Sequence, residues 1–335
     1  MKSFLKILTE SFGPSGYEEI VSRLIFHEVR SLTDEVRIDA IGNVIARRKP
    51  SREAKNTRRI MLAAHMDETG VIASHIDKSG FIRFAYIGGT LDRNIQGVRV
   101  RFSNGITGVI GYDRLEQVDD LLPIGKMFID VGERSRADCP VKVGDVAAFE
   151  GPYFEMGDRL VAKAMDGRAG VAILVETLRK LKSTAHDVHF VFTTQKQVGM
   201  RGAGPVTFGI EPEIGIAVDV TSAGDTPGAS TPGVELGKGP CIRIRDEQML
   251  PDRRVVSWML KTAEKARIPH QREVLLSGSS EAKEIQISRA GVMTGVISVP
   301  VRYLHSSSEM VDYNDLKNSV ALLIALLRTP ASLKE

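Results

Sequence analysis

The sequence is poor in cysteine and in aromatic residues, and it has no long apolar run. Its 335 residues include only two cysteines, Cys139 and Cys241, whose separation matches no metal-knuckle or redox spacing. We therefore expect two reduced structural thiols. The N-terminal segment is too short and too interrupted for a signal peptide, and no run reaches the roughly 18 apolar residues that span a bilayer. These absences predict a cytoplasmic protein with no membrane partner.

Charge of one sign is not in excess either. The formal net charge is +3, and lysine and arginine are scattered among aspartate and glutamate. No basic run contains interleaved aromatic residues, so we expect no nucleic-acid partner. A hydrophobic content of 42% and a charged content of 26% are ordinary for a globular protein. The length favours two domains.

Two kinds of pattern alternate along the chain. In the C-terminal half, apolar runs of strand length alternate with segments of helical spacing, which predicts an α/β fold with a largely parallel sheet covered by helices on both faces. Earlier in the chain, short alternating segments separated by Gly, Asp and Asn indicate an inserted small β-barrel. We expect the α/β domain to comprise residues 1–68 and 159–335, and the barrel to comprise residues 69–158.

Two local motifs precede the barrel. Ser15 and Glu18 have the spacing of a capping box, which predicts the start of a helix. Residues 36–39 and 43–46 alternate like paired strands and are separated by Ile41-Gly42, which predicts a hairpin.

Four side chains that can bind a metal stand at the ends of separate elements. His65 follows one apolar strand, Asp219 ends another, His305 lies just past a third, and Asp166 stands at the entry to a helix. Ligands gather at the carboxyl ends of strands in open α/β sheets, so we expect these residues to converge on one cavity. Nitrogen and carboxylate donors are those of Zn²⁺, Co²⁺ or Mn²⁺ sites.

Each of these residues also has an ordinary interpretation. A single histidine after a strand often faces solvent, and Asp166 or Asp219 could be only a helix cap or a turn residue. Asp67 could be a surface acid. In a metal site it would instead accept the second ring N–H of His65 and fix its orientation. The convergence at strand ends favours the metal-site interpretation.

The chain resembles the glutamyl aminopeptidases, or tetrahedral (TET) aminopeptidases, which are co-catalytic metallopeptidases and some of which are labelled endoglucanase. The resemblance extends over nearly the whole length. The matching motifs, in order, are Pro14-Ser15-Gly16-Tyr17-Glu18, Asp39-Ala40-Ile41-Gly42-Asn43, Ala64-His65-Met66-Asp67-Glu68, Lys163-Ala164-Met165-Asp166, Val198-Gly199-Met200-Arg201-Gly202-Ala203 and Arg302-Tyr303-Leu304-His305-Ser306.

The resemblance implies the following roles. His65 and Asp219 would hold one metal ion, and Asp166 would bridge to a second ion. The second ion would be held by His305 and by a glutamate at the position of Gln197. The inserted segment would be a small PDZ-like barrel that helps assembly into dimers and often tetrahedral dodecamers, and the substrate would be a peptide.

Three departures from the family pattern affect this site. The family's general-base glutamate and its neighbouring ligand glutamate are replaced by Lys196 and Gln197. The residue after the bridging aspartate, usually a second aspartate, is Gly167, and Glu281 stands where aspartate is usual. A two-metal hydrolase needs a carboxylate to carry the proton of the metal-held water, and a protonated lysine cannot do so. With Lys196 and Gln197 in place of two glutamates, the site is also about three charge units more positive. This extra positive charge disfavours binding of the second metal ion.

Three functional hypotheses follow. The first is a hydrolase that removes N-terminal residues from peptides with impaired or altered activity. Lys196 could then act as a neutral base if its pKa were depressed, or it could be carboxylated. The second is a catalytically silent homologue that serves as a binding or assembly subunit. The third, a carbohydrate hydrolase, ranks lowest because no flanking pair of carboxylates stands out.

Overall fold

We describe the chain from a computed structural model. The structure describes residues 1–51, 57–89, 95–113, 123–229 and 233–333, so parts of both expected domains lie outside the described residues. Within these ranges no helix is long and apolar enough to cross a membrane.

The described residues form seven α-helices and 17 strands. The helices are α1 (Lys2–Glu10), α2 (Glu19–Val29), α3 (Met165–Lys180), α4 (Ala203–Ile210), α5 (Arg253–Lys265), α6 (Ala282–Gln286) and α7 (Tyr313–Arg328). The strands are β1 (Glu35–Ile38), β2 (Val44–Arg48), β3 (Arg59–His65), β4 (Gly70–Ile76), β5 (Ile82–Ile87), β6 (Arg99–Phe102), β7 (Thr107–Tyr112), β8 (Met127–Asp130), β9 (Val146–Phe149), β10 (Phe154–Met156), β11 (Arg159–Ala162), β12 (Asp187–Thr193), β13 (Ile214–Ser222), β14 (Cys241–Arg245), β15 (Gln271–Val274), β16 (Met293–Arg302) and β17 (Glu309–Asp312).

The main sheet is mixed. Its order is β1-β2-β12-β3-β13-β16-β17-β11-β10, and β14 and β15 extend it from β16. The central strands β12, β3, β13 and β16 are parallel, whereas β1 and β2 on one side and β17, β11 and β10 on the other are antiparallel. The expectation of a largely parallel sheet therefore holds only for the centre. Each flank contains a hairpin, β1-β2 on one side and β10-β11 on the other, whose short turn requires antiparallel pairing.

Helices cover the sheet on both faces. The larger apolar core lies between one face and helices α1, α2, α3, α5 and α7, and the smaller core lies between the other face and helices α4 and α6. Parallel strands that are covered on both faces have nearly continuous apolar sequences, as β3 and β13 do. The predicted fold class, a metallopeptidase-type α/β sheet with an inserted barrel, is confirmed.

The barrel is closed and has six strands in the order β4-β5-β8-β7-β6-β9. It encloses its own apolar core, which includes Val71, Phe84, Val100 and Ile129. The sequence pattern indicates strands at the positions of β5 to β8. It does not indicate β4, because a register shift between Ala73 and His75 breaks the alternation of buried and exposed residues.

The predicted capping box does not form. Helix α2 begins at Glu19, and the side chain of its N-cap residue, Glu18, makes no capping bond. The Ser15 hydroxyl instead donates a hydrogen bond to Asp67 at 2.5 Å, and the Glu18 carboxylate accepts one from the backbone N–H of Gln195 at 2.9 Å. Both side chains therefore support a distant loop rather than their own helix.

Helix α3 packs closely on β13 at Gly170. A Cβ atom at this position would lie 2.4 Å from the carbonyl oxygen of Val218. We expect Gly170→Ala to lower the free energy of unfolding by about 1–3 kcal/mol, because the helix must move away from the sheet. The matched control is Gly204→Ala in α4, where nothing lies within 4 Å and a gain of about 0.4–1 kcal/mol is expected. Equal effects in denaturant titrations would contradict this account.

Candidate metal centre

The carboxyl ends of three adjacent parallel strands define one edge of the sheet. His65 is the last residue of β3, and it lies beside Thr193, the last residue of β12. Asp219 lies two residues beyond Ala217 of β13, which pairs with Ala63 of β3. The loop that follows β12 carries Lys196 and Gln197. The alternation of side chains along paired strands therefore places His65 and Asp219 on the same face of this edge.

Asp166 enters the same space from the start of α3. Asp166 and Gly167 have non-helical dihedral angles, so the regular helix begins only after them. The backbone N–H of Asp166 donates a hydrogen bond to Glu309 at 2.9 Å, and the N–H of His305 donates one to the other Glu309 oxygen at 2.7 Å. Glu309 thus joins the two segments that carry Asp166 and His305. No sequence pattern marks Glu309 as a site residue, because it starts an ordinary short strand, β17.

Three donors cluster tightly enough for one metal ion. Nε2 of His65 lies 3.0 Å from Oδ1 of Asp166 and 3.7 Å from Oδ1 of Asp219. One ligand atom from each residue lies within 4.8 Å of the others, and all three side chains are buried. The Asp67 carboxylate lies 3.2 Å from Nδ1 of His65, on the far side of the ring. A nitrogen and two carboxylates are a chemically suitable donor set for a divalent ion.

The second position lacks such a set. Nε2 of His305 lies 3.5 Å from Oδ2 of Asp166. The Gln197 amide donates a hydrogen bond to the same oxygen at 2.6 Å, so its N–H₂ group, rather than its oxygen, faces the bridging carboxylate. The cleft beside these residues has a volume of only about 20 Å³, room for about one water molecule. The residues present therefore fit one divalent ion and do not fit a second.

Lys196 places an ammonium among the acidic donors. Its Nζ atom lies 3.3 Å from Oδ1 of Asp166 and 3.7 Å from Oδ1 of Asp219. The loop that carries it is fixed at its backbone, because Asp67 accepts hydrogen bonds from the N–H groups of Lys196 at 3.0 Å and Gln197 at 2.9 Å. The ammonium therefore neutralises part of the negative charge that a metal ion would neutralise.

The ionisation of the cluster follows from these pairs. Burial opposes the charged form of Lys196, but the carboxylates of Asp166 and Asp219 outweigh it and raise the pKa of Lys196. Burial likewise opposes the ionised form of Asp166, but the Lys196 and His65 charges hold the pKa of Asp166 well below its usual range. Lys196 could act as a neutral base only if its pKa were depressed. In the chain without a metal ion the pKa of Lys196 is raised instead.

The His65 ring occupies the space that a side chain at position 167 would need. A Cβ atom at Gly167 would lie 2.4 Å from Cε1 of the His65 ring and 2.7 Å from the His65 carbonyl oxygen, and the backbone φ is +85°. The aspartate that the family usually has here would therefore require His65 to move.

Glu281 is a fourth acid near the centre. It is buried at the start of α6, and its Oε1 atom has no hydrogen-bond partner among the described residues. Burial raises the pKa of Glu281 to about 7, although the nearby His65 opposes this shift. Burial therefore favours the neutral form of this carboxyl group below about pH 7.

The fold and the cluster together define a metallohydrolase of the α/β type with a barrel insertion. The chain belongs to the M42 glutamyl aminopeptidase family, whose model matches residues 42–322. It is 40% identical to a putative aminopeptidase of Acetivibrio thermocellus over 97% of each chain. The structure is similar to that of aminopeptidase APDkam598 from the archaeon Desulfurococcus kamchatkensis, with a TM-score of 0.93 and 37% identity over 98% of this chain and 94% of that one.

A further solved structure concerns assembly. The Pyrococcus horikoshii TET1 peptidase, described as assembling into a tetrahedron or a large octahedral shell, has a TM-score of 0.87 and 32% identity over 98% of this chain and 99% of that one. The family resemblance inferred from the sequence motifs is therefore confirmed, and with it the class of metallo-aminopeptidase-type hydrolases.

The packing of His65 against Gly167 can be tested by comparing two glycines with the same φ of +85°. Gly167→Ala introduces both backbone strain and a clash with His65, and we expect it to lower the free energy of unfolding by about 2–4 kcal/mol. Gly16→Ala introduces strain alone, because nothing lies within 4 Å, and should cost about 1 kcal/mol. Denaturant midpoints that fall equally for both variants would show that His65 does not fill the Gly167 position.

Proposed function

We propose that this chain is an aminopeptidase-family protein whose capacity to remove N-terminal residues from peptides is strongly impaired. The observation that supports this proposal is the Lys196 ammonium, 3.3 Å from Asp166 and 3.7 Å from Asp219. At this position the family pattern has the glutamate that moves the proton of the attacking water. An ammonium with a raised pKa holds its protons and cannot accept another.

We further propose that His65, Asp166 and Asp219 would hold at most one divalent ion, Zn²⁺ or Co²⁺ in preference to Mn²⁺. When bound, such an ion supplies Lewis acidity and lowers the pKa of water. Each unit of ionic charge about 4 Å from the ammonium would be repelled by about 4 kcal/mol at an effective dielectric constant of 20. Lys196 must therefore turn away before the ion can bind.

The chain's own residues would still hold the segments that border the site. Asp67 holds the backbone of Lys196 and Gln197, and Glu309 holds the backbone of Asp166 and His305. No carboxylate on the loop after β12 is placed to transfer a proton, since residues 194–200 contain no acid. The reaction therefore lacks its general base while much of its framework is retained.

The competition between lysine and metal predicts a change of metal affinity. Lys196→Met removes one of the cations that face Asp166 and Asp219, so we expect the metal-free variant to lose about 3–5 kcal/mol of unfolding free energy. Added Zn²⁺ should then raise its Tm more than that of the parent chain. The matched control is Lys180→Met, whose ammonium pairs with Glu176 on the surface and should change stability by less than about 0.5 kcal/mol. Equal Zn²⁺ affinity of parent and Lys196→Met, by calorimetry, would contradict the competition.

The missing base predicts a gain of function. We expect Lys196→Glu with Gln197→Glu to raise kcat/KM on aminoacyl chromogenic substrates by about 10²–10⁴-fold, which is the usual contribution of general acid–base catalysis. The control is the same double variant with Asp166→Asn, which should abolish the gain. A double variant that is folded and holds metal but shows no gain would contradict the impaired-peptidase proposal.

The second candidate is a catalytically silent subunit. It is favoured by the same ammonium, because the buried acids are compensated without a metal ion. The similarity to the Pyrococcus horikoshii TET1 peptidase supports self-assembly into dimers or a tetrahedral dodecamer, for which the barrel at residues 69–158 would serve as the oligomerisation domain. We place the protein in the cytoplasm. Light scattering of the purified chain would test assembly, and a monomer would exclude it.

A further inference from the structure

A cavity of about 310 Å³ lies at the opposite end of the sheet from the metal centre. It opens on the face that α4 partly covers, next to the last residues of that helix, Gly209 and Ile210. Three arginines, Arg37, Arg47 and Arg59, line it. The end of α4 borders the cavity beside the first residue of β3, because the carbonyl oxygen of Ile210 accepts a hydrogen bond from Arg59.

Strand register brings the basic side chains together. Arg47 of β2 pairs with His189 of β12, and Arg59 of β3 pairs with Asp187 of β12. Arg37 of β1 pairs with Ile45, two residues before Arg47. Because side chains alternate across a strand, Arg37, Arg47, Arg59 and His189 all point to the same face.

The cavity is positively charged, and one of its three arginines, Arg37, forms no ion pair among the described residues. Arg47 makes two hydrogen bonds to Asp187, at 2.8 and 3.1 Å, and also lies 3.3 Å from Glu35. Arg59 donates to the carbonyl oxygen of Ile210 at 3.0 Å and lies 3.5 Å from Asp187. Arg37 has no ion pair within the part of the chain that the structure describes. Three guanidinium groups thus face two carboxylates.

His189 is the second observation that points to a ligand. Both of its ring nitrogens are covered and have no hydrogen-bond partner among the described residues. The nearest acid, Asp187, lies 3.6 Å from Nε2, beyond hydrogen-bond distance. Since buried polar groups normally have partners, an unpaired imidazole in a cavity wall calls for an explanation.

The imidazole can serve as a donor toward the cavity. The side chain is 13% exposed although both nitrogens are covered, so its exposed atoms are carbons. A half-turn about the Cβ–Cγ bond exchanges the nitrogen and carbon positions of the ring and turns a nitrogen toward the cavity. Burial lowers the pKa of His189, and the neighbouring Arg47 and Arg59 reinforce that shift against Asp187. The ring is therefore neutral at pH 7 and offers one N–H.

We propose that this cavity binds the oxyanion group, a phosphate or a carboxylate, of a small molecule. Arg37 would supply an uncommitted guanidinium, Arg47 and Arg59 would supply positive potential, and His189 would donate a hydrogen bond. The volume lies at the lower end of the range for small-molecule sites. The site is separate from the metal centre, because Thr193 lies four residues further along β12 than His189, a rise of about 13 Å. The proposal does not rest on the proposed peptidase function.

The test compares anions at matched ionic strength. We expect potassium phosphate or sodium succinate, whichever group the site prefers, to raise the Tm of the parent chain by about 2–5 °C over potassium chloride. Calorimetric titration with the same two anions then gives the Kd for each. Preference for phosphate would identify a phosphorylated ligand class, and preference for succinate would identify a carboxylate class. Equal effects of all three salts would overturn the proposal.

Three variants locate the effect. Arg37→Gln should weaken binding by about tenfold or more and remove the Tm shift, because a bidentate charged contact is lost. The matched control is Arg134→Gln, an exposed arginine of the barrel, which should keep the full shift.

His189→Leu separates a ligand role from a structural one. If the imidazole serves only the fold, its loss lowers the Tm in chloride. If it serves a ligand, the variant keeps or raises that Tm, since an unpaired buried polar group has been removed, and loses the response to the anion. An anion response that survives in both Arg37→Gln and His189→Leu would overturn the proposal.

Discussion

The structure of the metal centre depends on the compensation of buried negative charge. The ends of strands β3 and β13 and the start of α3 lie at one edge of the sheet, where they bring His65, Asp219 and Asp166 together. Removing carboxylates from water is costly, and they stay ionised only with a cation close by. In this chain the Lys196 ammonium and the His65 imidazole both lie within 4 Å of the two aspartates and supply this compensation. The Lys196–Asp166 pair contributes both to the low pKa of Asp166 and to the high pKa of Lys196.

The ammonium is placed by residues far from it in sequence. Asp67 accepts hydrogen bonds from the backbone of Lys196 and Gln197, and Ser15 in turn donates to Asp67. Glu18 holds the preceding residue, Gln195, whose φ of 56° bends the chain at that point. The N-terminal segment therefore belongs to the site as much as the strands do. A change in these supporting residues would displace the loop even though none of them touches Asp166.

The sequence allowed the fold class, the barrel and the family to be predicted, because each depends on patterns repeated over many residues. Apolar runs such as those of β3 and β13 identify buried strands, and motifs from residue 14 to residue 306 identify the family. Single contacts were harder to predict. Ser15 and Glu18 matched a helix cap by spacing, yet their side chains bond to Asp67 and Gln195, which only the folded chain brings near. Glu309 and the cavity at His189 depend on register and helix length, which local patterns do not specify.

Two of the three departures from the family pattern change the charge of the site, and the third, Glu281 in place of aspartate, does not. Lysine in place of glutamate at Lys196 makes the site more positive by two units, and glutamine in place of glutamate at Gln197 adds one. Glycine in place of aspartate at Gly167 adds one more, and the resulting four units equal the charge of two divalent cations. The site has thus gained in its own side chains the positive charge that two metal ions would contribute. Since buried carboxylates require compensation rather than a particular cation, the side chains of this cluster can compensate its buried acids without a metal ion.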